Sequence, residues 1–240
     1  MGGLGRRLAA AAVLAGVCMA PAFALTEARL REVVSDDIPD EAQFKDWPGV
    51  ADRTLIAWTD DVGAAAGAGA QDDVLDLTVL VVQTSSGRVL QRYHAGKAFD
   101  SRVTHVEFSK FEVDTASYAL APGRRAFGIR LVGEHRGCGA EERDELHLLE
   151  ADGSTLREVL ALVTLDHLAY CDCGEGHDVV RTLAVAGSWT RGRADLIVHE
   201  RREDTPDGMK DPANCHPKVR HSQRTTTWRF DGRRYVESGR

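Results

Sequence analysis

Beyond residue 73 the apolar residues fall at every second position. Leu75, Leu77, Val79 and Val81 share one face of such a run while Asp76 and Thr78 take the other, which is the period of a strand with one buried side. A turn at Ser85-Ser86-Gly87 and a returning run over 88–94 complete a hairpin. The same grammar recurs at 145–150, Ala151-Asp152-Gly153 and 154–162, and again at 225–230, Asp231-Gly232 and 233–236. Asp-Gly suits these joints because a two-residue type I′ turn needs positive φ at both central positions. Further strand-like runs cover 103–113, 125–132, 179–185 and 194–200, and the alternation of the first changes phase at Ser109, which predicts a bulge there. Residues 155–163 read two ways. Leu156, Val159, Leu160 and Val163 have helical spacing behind a Thr155/Glu158 capping box, yet the segment is also the expected return strand. The expected fold is all-β, mainly an antiparallel meander forming a sandwich, a barrel or propeller-like blades, with at most one or two short helices.

The start of the chain supplies an address. Arg6 and Arg7 precede an apolar run over 8–20, followed by Pro21, Ala22, Phe23 and Ala24. Charge, apolar stretch and a small-x-small end are the order of a signal peptide, so residues 1–24 are read as one, cleaved after Ala24. The run is shorter than the roughly 20 residues of a spanning helix, which argues against a transmembrane anchor. Cys18 lacks the small residue directly ahead of it that acylation would want. Residues 25–70 form an N-terminal segment: a short helix over 26–34 with Leu30, Val33 and Val34 on one face, a turn at Trp47-Pro48-Gly49, a strand over 54–59, and a Gly/Ala-rich linker at 63–70. Residues 71–240 form the β-rich domain.

The formal net charge is −7, but residues 191–240 carry twelve basic and eight acidic groups. No basic run exceeds two residues, which speaks against a nucleic-acid partner and for complementary packing of two faces. Arginine supplies nearly all the positive charge, and Asn214 is the sole asparagine. An Arg-rich, Asn-poor exported chain points to a bacterial periplasm or to secretion.

Gly187-Ser188-Trp189 and Ala194-Asp195-Leu196-Ile197-Val198, followed by Trp228-Arg229-Phe230-Asp231-Gly232-Arg233-Arg234-Tyr235, resemble the terminal hairpins of uncharacterised exported bacterial β-domain proteins. They are also distantly similar to hairpin segments of FG-GAP/VCBS-type repeats. The resemblance covers about 50 residues, lacks the Asp/Asn-rich calcium loop of those repeats, and implies an exported β domain with no particular activity.

Cysteine carries the sharpest chemical signal. After the leader, Cys138, Cys171, Cys173 and Cys215 remain, an even number in a compartment that oxidises thiols. Cys171 and Cys173 are too close to bridge each other without strain. Two connectivities are left, each joining one of that pair to Cys138 and the other to Cys215. Each bridge would close a loop of about 35 to 45 residues, worth about 4 kcal/mol by chain entropy. The competing reading is a Zn or Cu site built from His167, Cys171, Cys173, His177, Cys215 and His216, all soft or borderline donors. Asp204, Asp207 and Asp211 miss the spacing of a calcium loop, and His199-Glu200 lacks the second histidine of a zinc-protease helix. The acidic cluster Glu141, Glu142, Asp144 and Glu145 is read as a surface loop, and Trp228 and Phe230 as core. No nucleophile elbow, phosphate loop or dinucleotide fingerprint occurs.

The expected function is that of a disulfide-stabilised, non-enzymatic β domain, without a cofactor, that binds a protein or cell-envelope component. A metal-binding periplasmic protein is the first alternative. A hydrolase with spatially assembled residues is the second.

Overall fold

The computed structural model describes residues 24–34, 37–62, 73–137, 139–169, 174–206 and 218–239. The expected leader over 1–23, the linker at 63–70, all four cysteines beyond the leader, and His216, Asp207 and Asp211 lie outside them.

Alternating residues become strands almost throughout. After α1 (Glu27–Val33) come β1 (Gln43–Asp46), β2 (Arg53–Asp61), β3 (Val74–Gln83) and β4 (Val89–Asp100). A one-turn α2 (Ser101–Thr104) leads into β5 (Glu107–Ala121) and β6 (Arg124–Gly137). The meander continues through β7 (Gly139–Asp152), β8 (Thr155–Ala169), β9 (Gly176–Thr190), β10 (Arg193–Thr205), β11 (Arg220–Phe230) and β12 (Tyr235–Glu237). The fold is all-β: β1 to β4 and β5 to β12 each pair in chain order, antiparallel throughout. One parallel pairing, Arg92 with Thr155, joins β4 to β8.

Several local expectations hold and several move. The bulge at Ser109 is present as a register shift between Phe108 and Lys110. The run expected to begin at residue 103 starts at Glu107, because Asp100 caps α2 by accepting from the Arg102 backbone N–H and His105 leaves the turn with φ of 63°. Residues 155–163 are strand. Leu148 pairs with Leu160 but Leu149 with Glu158, so Val159 is an extra residue, and this bulge turns a period of two into the helical-looking spacing. The acidic cluster at 141–145 is no loop but the middle of β7, where Asp144 accepts from Arg130 at 2.9 Å. In α1, capped by Thr26, Leu30 and Val34 are buried while Val33 faces solvent at 37% exposure.

The strand β3 is buried on both faces, unlike the one-sided pattern its sequence suggests. Leu77, Val79 and Val81 enter a core with β2, β5, β6 and β7. Leu80 and Val82 pack on the other side with Ile56, Trp58 and the helix residues Leu30 and Val34. A second large core holds Tyr118, Leu120, Leu146, Leu160, Leu196 and Tyr235, so β5 to β8 also separate two apolar layers. β2 pairs with β3 from Arg53–Gln83 to Asp61–Leu75, which places the N-terminal segment in the same sheet and core as the rest.

Antiparallel order sorts the connections to two ends. Turns at 47–52, 84–88, 122–123, 153–154, 191–192 and 231–234 gather at one. The α2 segment and the C-terminal ends of β6, β8 and β10 lie at the other.

Candidate functional site

The described candidates from the sequence, His167 and His177, belong to the second end. Ala140 of β7 pairs with Ala169 of β8, Ala169 with Gly176 of β9, and Gly176 with Thr205 of β10. Four adjacent strands therefore stop in register, about 4.8 Å apart, where the cysteine-bearing segments attach. Of the six proposed metal ligands, His167 and His177 are described. His167 is opposite Asp178 and His177 opposite Leu168, so the two histidines occupy opposite faces of the β8–β9 ladder. His177 Nε2 lies 3.6 Å from Asp166 Oδ1 and has no hydrogen-bond partner among the described residues. No group of three or more His, Cys, Asp or Glu among the described residues is arranged to hold a metal ion. Along β10, Arg202 donates to the Asp204 carboxylate and holds it below the usual range.

A histidine within reach of a carboxylate occurs elsewhere. His147 Nδ1 lies 2.8 Å from Glu158 Oε2, which also accepts from the Tyr93 hydroxyl at 3.2 Å. Burial works to raise the Glu158 carboxyl, but the bonds from His147 and Tyr93 outweigh it and leave it below the ordinary value. Burial and the neighbouring Glu158 push the Tyr93 phenol up. The trio ties β4, β7 and β8 together near their crossing and carries no serine or cysteine partner among the described residues. Ser188 instead donates to Asp195 at 2.7 Å. Trp228 joins the second core and Trp189 is exposed at 52%, so the two tryptophans do not form one patch.

The site that sequence reasoning missed is at the first end, in a cleft of about 520 Å³ between the β1–β2 turn and the β5–β6 turn, with β7 behind them. Small residues make the room: Gly49, Ala51, Ala119, Ala121, Gly123 and Ala151 line it. Its charge comes from Arg53, Arg124 and Arg125. The β1–β2 turn closes through Trp47 N–H to the Arg53 carbonyl and Val50 N–H to the Trp47 carbonyl, both 3.1 Å. Gly49 sits in it at φ of 76°, and a Cβ there would collide with Arg125 Nη1. The backbone conformation is what calls for glycine here, since the end of the flexible Arg125 side chain can shift aside.

Three polar groups of the cleft are buried without partners. Trp47 is 5% exposed, its ring held edge-on by Phe127 with centroids 5.1 Å apart, and its Nε1–H meets no acceptor among the described residues. Arg125 Nε is in the same position. Glu150, 1% exposed, bonds Arg193 through Oε1, while Oε2 lies 3.9 Å from Arg157 and accepts no hydrogen bond. The three residues line the cavity, but the atoms themselves are buried, and eight further buried side-chain atoms among the described residues also lack partners. The other carboxylate on this turn, Asp52, is engaged away from the cleft: Gln83 and Ser85 donate to it at 2.7 and 2.8 Å and hold it below the usual carboxylate range. The sequence offered one signal, the Trp-Pro-Gly turn, but nothing local links it to residues 119–125.

Comparison with known protein families, with curated proteins and with solved structures finds no match to this chain.

Proposed function

We propose that this chain is an exported, non-enzymatic binding protein that holds a component of the cell envelope in the cleft between its β1–β2 and β5–β6 turns. The observation carrying this reading is the cleft itself, about 520 Å³, lined by Arg53, Arg124 and Arg125 among small residues. A binding site needs placed donors and acceptors on a rigid support, and here they stand on paired strands and a closed turn.

Export rests on the leader-like residues 1–24. Two disulfides among Cys138, Cys171, Cys173 and Cys215 fit that compartment, which oxidises thiols. His177, with its buried unpartnered Nε2, favours a second reading in which thiols and histidine at that end take Zn or Cu.

Protein recovered from the periplasm tests both. The primary reading expects a chain starting at Leu25, no free thiols, no stoichiometric metal, and sedimentation with purified cell-wall material that is lost in Arg124→Glu. Four free thiols with one equivalent of zinc would establish the second reading instead. Sedimentation unchanged by Arg124→Glu would remove the cleft from the function.

A further inference from the structure

We infer that the first end of the fold, where the six turns gather, is a docking surface for an anionic phospholipid membrane. This goes beyond the cleft reading and does not rest on it.

The chain is acidic as a whole, with a formal net charge of −7, yet its charge is sorted along the strands. Arg88, Arg124, Arg191, Arg229, Arg233 and Arg234 are exposed at or beside the turns of the first end. The salt bridges there use other arginines, Arg157 with Asp152 and Arg193 with Glu150, and leave the six without a carboxylate partner among the described residues. The exposed carboxylates in or next to those turns are fewer: Asp46, Asp52, Asp152 and Asp231. The opposite end is the inverse. Glu134 pairs with Glu142, Glu142 with His167, His167 with Asp178 and Asp178 with Glu203, so four carboxylates share one row across β6 to β10.

Six separate turns make one surface because side chains tie them together. Arg53 and Arg124 line a single cleft, and Ser85 donates to Asp52 at 2.8 Å. Gln91 donates to the Gly153 carbonyl at 3.3 Å, Arg157 lies 5.7 Å from the centre of the Phe230 ring, and Arg191 donates to the Asp231 carbonyl. Along the chain these arginines occur singly or in pairs, and antiparallel order alone collects them.

A plane of negative charge is the complement of such an end. Cations carried by many strand ends can meet a plane together, whereas a nucleic-acid strand wants them along a groove with aromatic rings for its bases. Here Trp189, 52% exposed at the end of β9, is the exposed aromatic among the described residues, while Trp47 and Trp58 are buried and Trp228 joins the second core. An indole with an apolar body and one N–H settles at the headgroup level of a bilayer. The carboxylate row points away from a membrane held in this way, so attraction at one end and repulsion at the other fix the orientation.

The test uses residues 25–240, which carry every described helix and strand and lack the apolar run over 8–20 that would itself seek lipid. Binding is measured by co-sedimentation with vesicles of phosphatidylcholine alone, and of phosphatidylcholine and phosphatidylglycerol in equal parts. The chain should bind the anionic vesicles at low salt, leave the neutral ones unbound, and come off at 1 M salt, where the screening length is about 3 Å. Each basic side chain beside an anionic leaflet strengthens binding about fivefold, so Arg88→Gln/Arg229→Gln/Arg233→Gln, all outside the cleft, should weaken it about tenfold or more. Lys110→Gln/Lys218→Gln/Arg220→Gln removes the same charge from the other end and should change binding less than about twofold. Anionic vesicles should shift the tryptophan emission to the blue, and Trp189→Phe should abolish the shift. Equal binding to neutral vesicles, no binding at low salt, or equal loss in the two triple variants would refute the inference. Single-stranded DNA bound as tightly as the anionic vesicles would refute the lipid assignment and leave a general polyanion surface. Loss of cell-wall sedimentation in Arg124→Glu, with vesicle binding absent, would leave the cleft reading standing alone.

Discussion

Replacing Arg193 by methionine isolates the most consequential charge pair in the fold. Glu150 and Arg193 are 1% and 7% exposed and hydrogen-bonded to each other, and Arg193 lies over the Phe230 ring at 5.0 Å. Methionine keeps most of the aliphatic volume but strands a carboxylate whose nearest remaining cation is Arg157 at 3.9 Å. Breaking a buried pair from one side costs about 3–5 kcal/mol. Loss of the cation–π contact adds about 0.5–2 kcal/mol. Taking about 4 kcal/mol, and about 2–4 °C per kcal/mol for a chain of this size, the melting temperature should fall by about 8–16 °C. Glu150→Met should cost a similar amount by stranding Arg193. The double variant Glu150→Met/Arg193→Met should lie within about 2 kcal/mol of the parent, because apolar replacement of a whole buried pair is often neutral or better. Urea unfolding of all four proteins reads the coupling directly. Additivity of the two single changes to within about 0.5 kcal/mol would refute the pairing as a determinant of stability.

Three further expectations follow from other parts of the fold. Gly133→Ala should destabilise by about 1–3 kcal/mol through overpacking, since a Cβ there would strike Val106 and stand 2.9 Å from Phe99, whereas Gly187→Ala, with nothing within 4 Å, should change stability by less than about 0.5 kcal/mol in the same urea assay. Burial pushes the Tyr118 and Tyr235 phenols up to about 12. The unfolded chain ionises them near their ordinary value of 10, so the stability they contribute is complete below pH 10 and is lost as pH rises towards 12. Tyrosinate absorbance at these two sites should therefore rise together with the unfolding signal, which Tyr118→Phe and Tyr235→Phe can assign. At the other extreme, backbone N–H groups of Arg234 and Arg233 hold the Asp231 carboxyl low. Its contribution is present above the unfolded-state value near 4 and declines in acid, so Asp231→Ala should erase that part of the acid sensitivity in melting curves taken from pH 7 to pH 3.

Much of the fold was readable because strand period and turn chemistry are local. The hairpins at 85–87, 151–153 and 231–232, the bulge at Ser109 and the short helix before Pro39 each follow from a few neighbouring residues. The errors share a cause. Residues 155–163 could be read as helix or strand alike, and 141–145 looked like a loop, because bulges and an ionic network within the sheet disturb the simple alternation. The candidate ligands named from sequence clustered because they are close along the chain, and the β8–β9 register then separated His167 from His177 onto two faces.

The sequence alone dictated that this chain would be a run of antiparallel strands, since alternation and turn residues are written in consecutive positions. Only the tertiary structure decided that Trp47, Arg125 and Glu150 meet. Their approach depends on how two distant turns stack against β7, and on a glycine small enough to let a guanidinium lie against the backbone. A cleft of this kind is a property of strand order and register, which no stretch of neighbouring residues encodes.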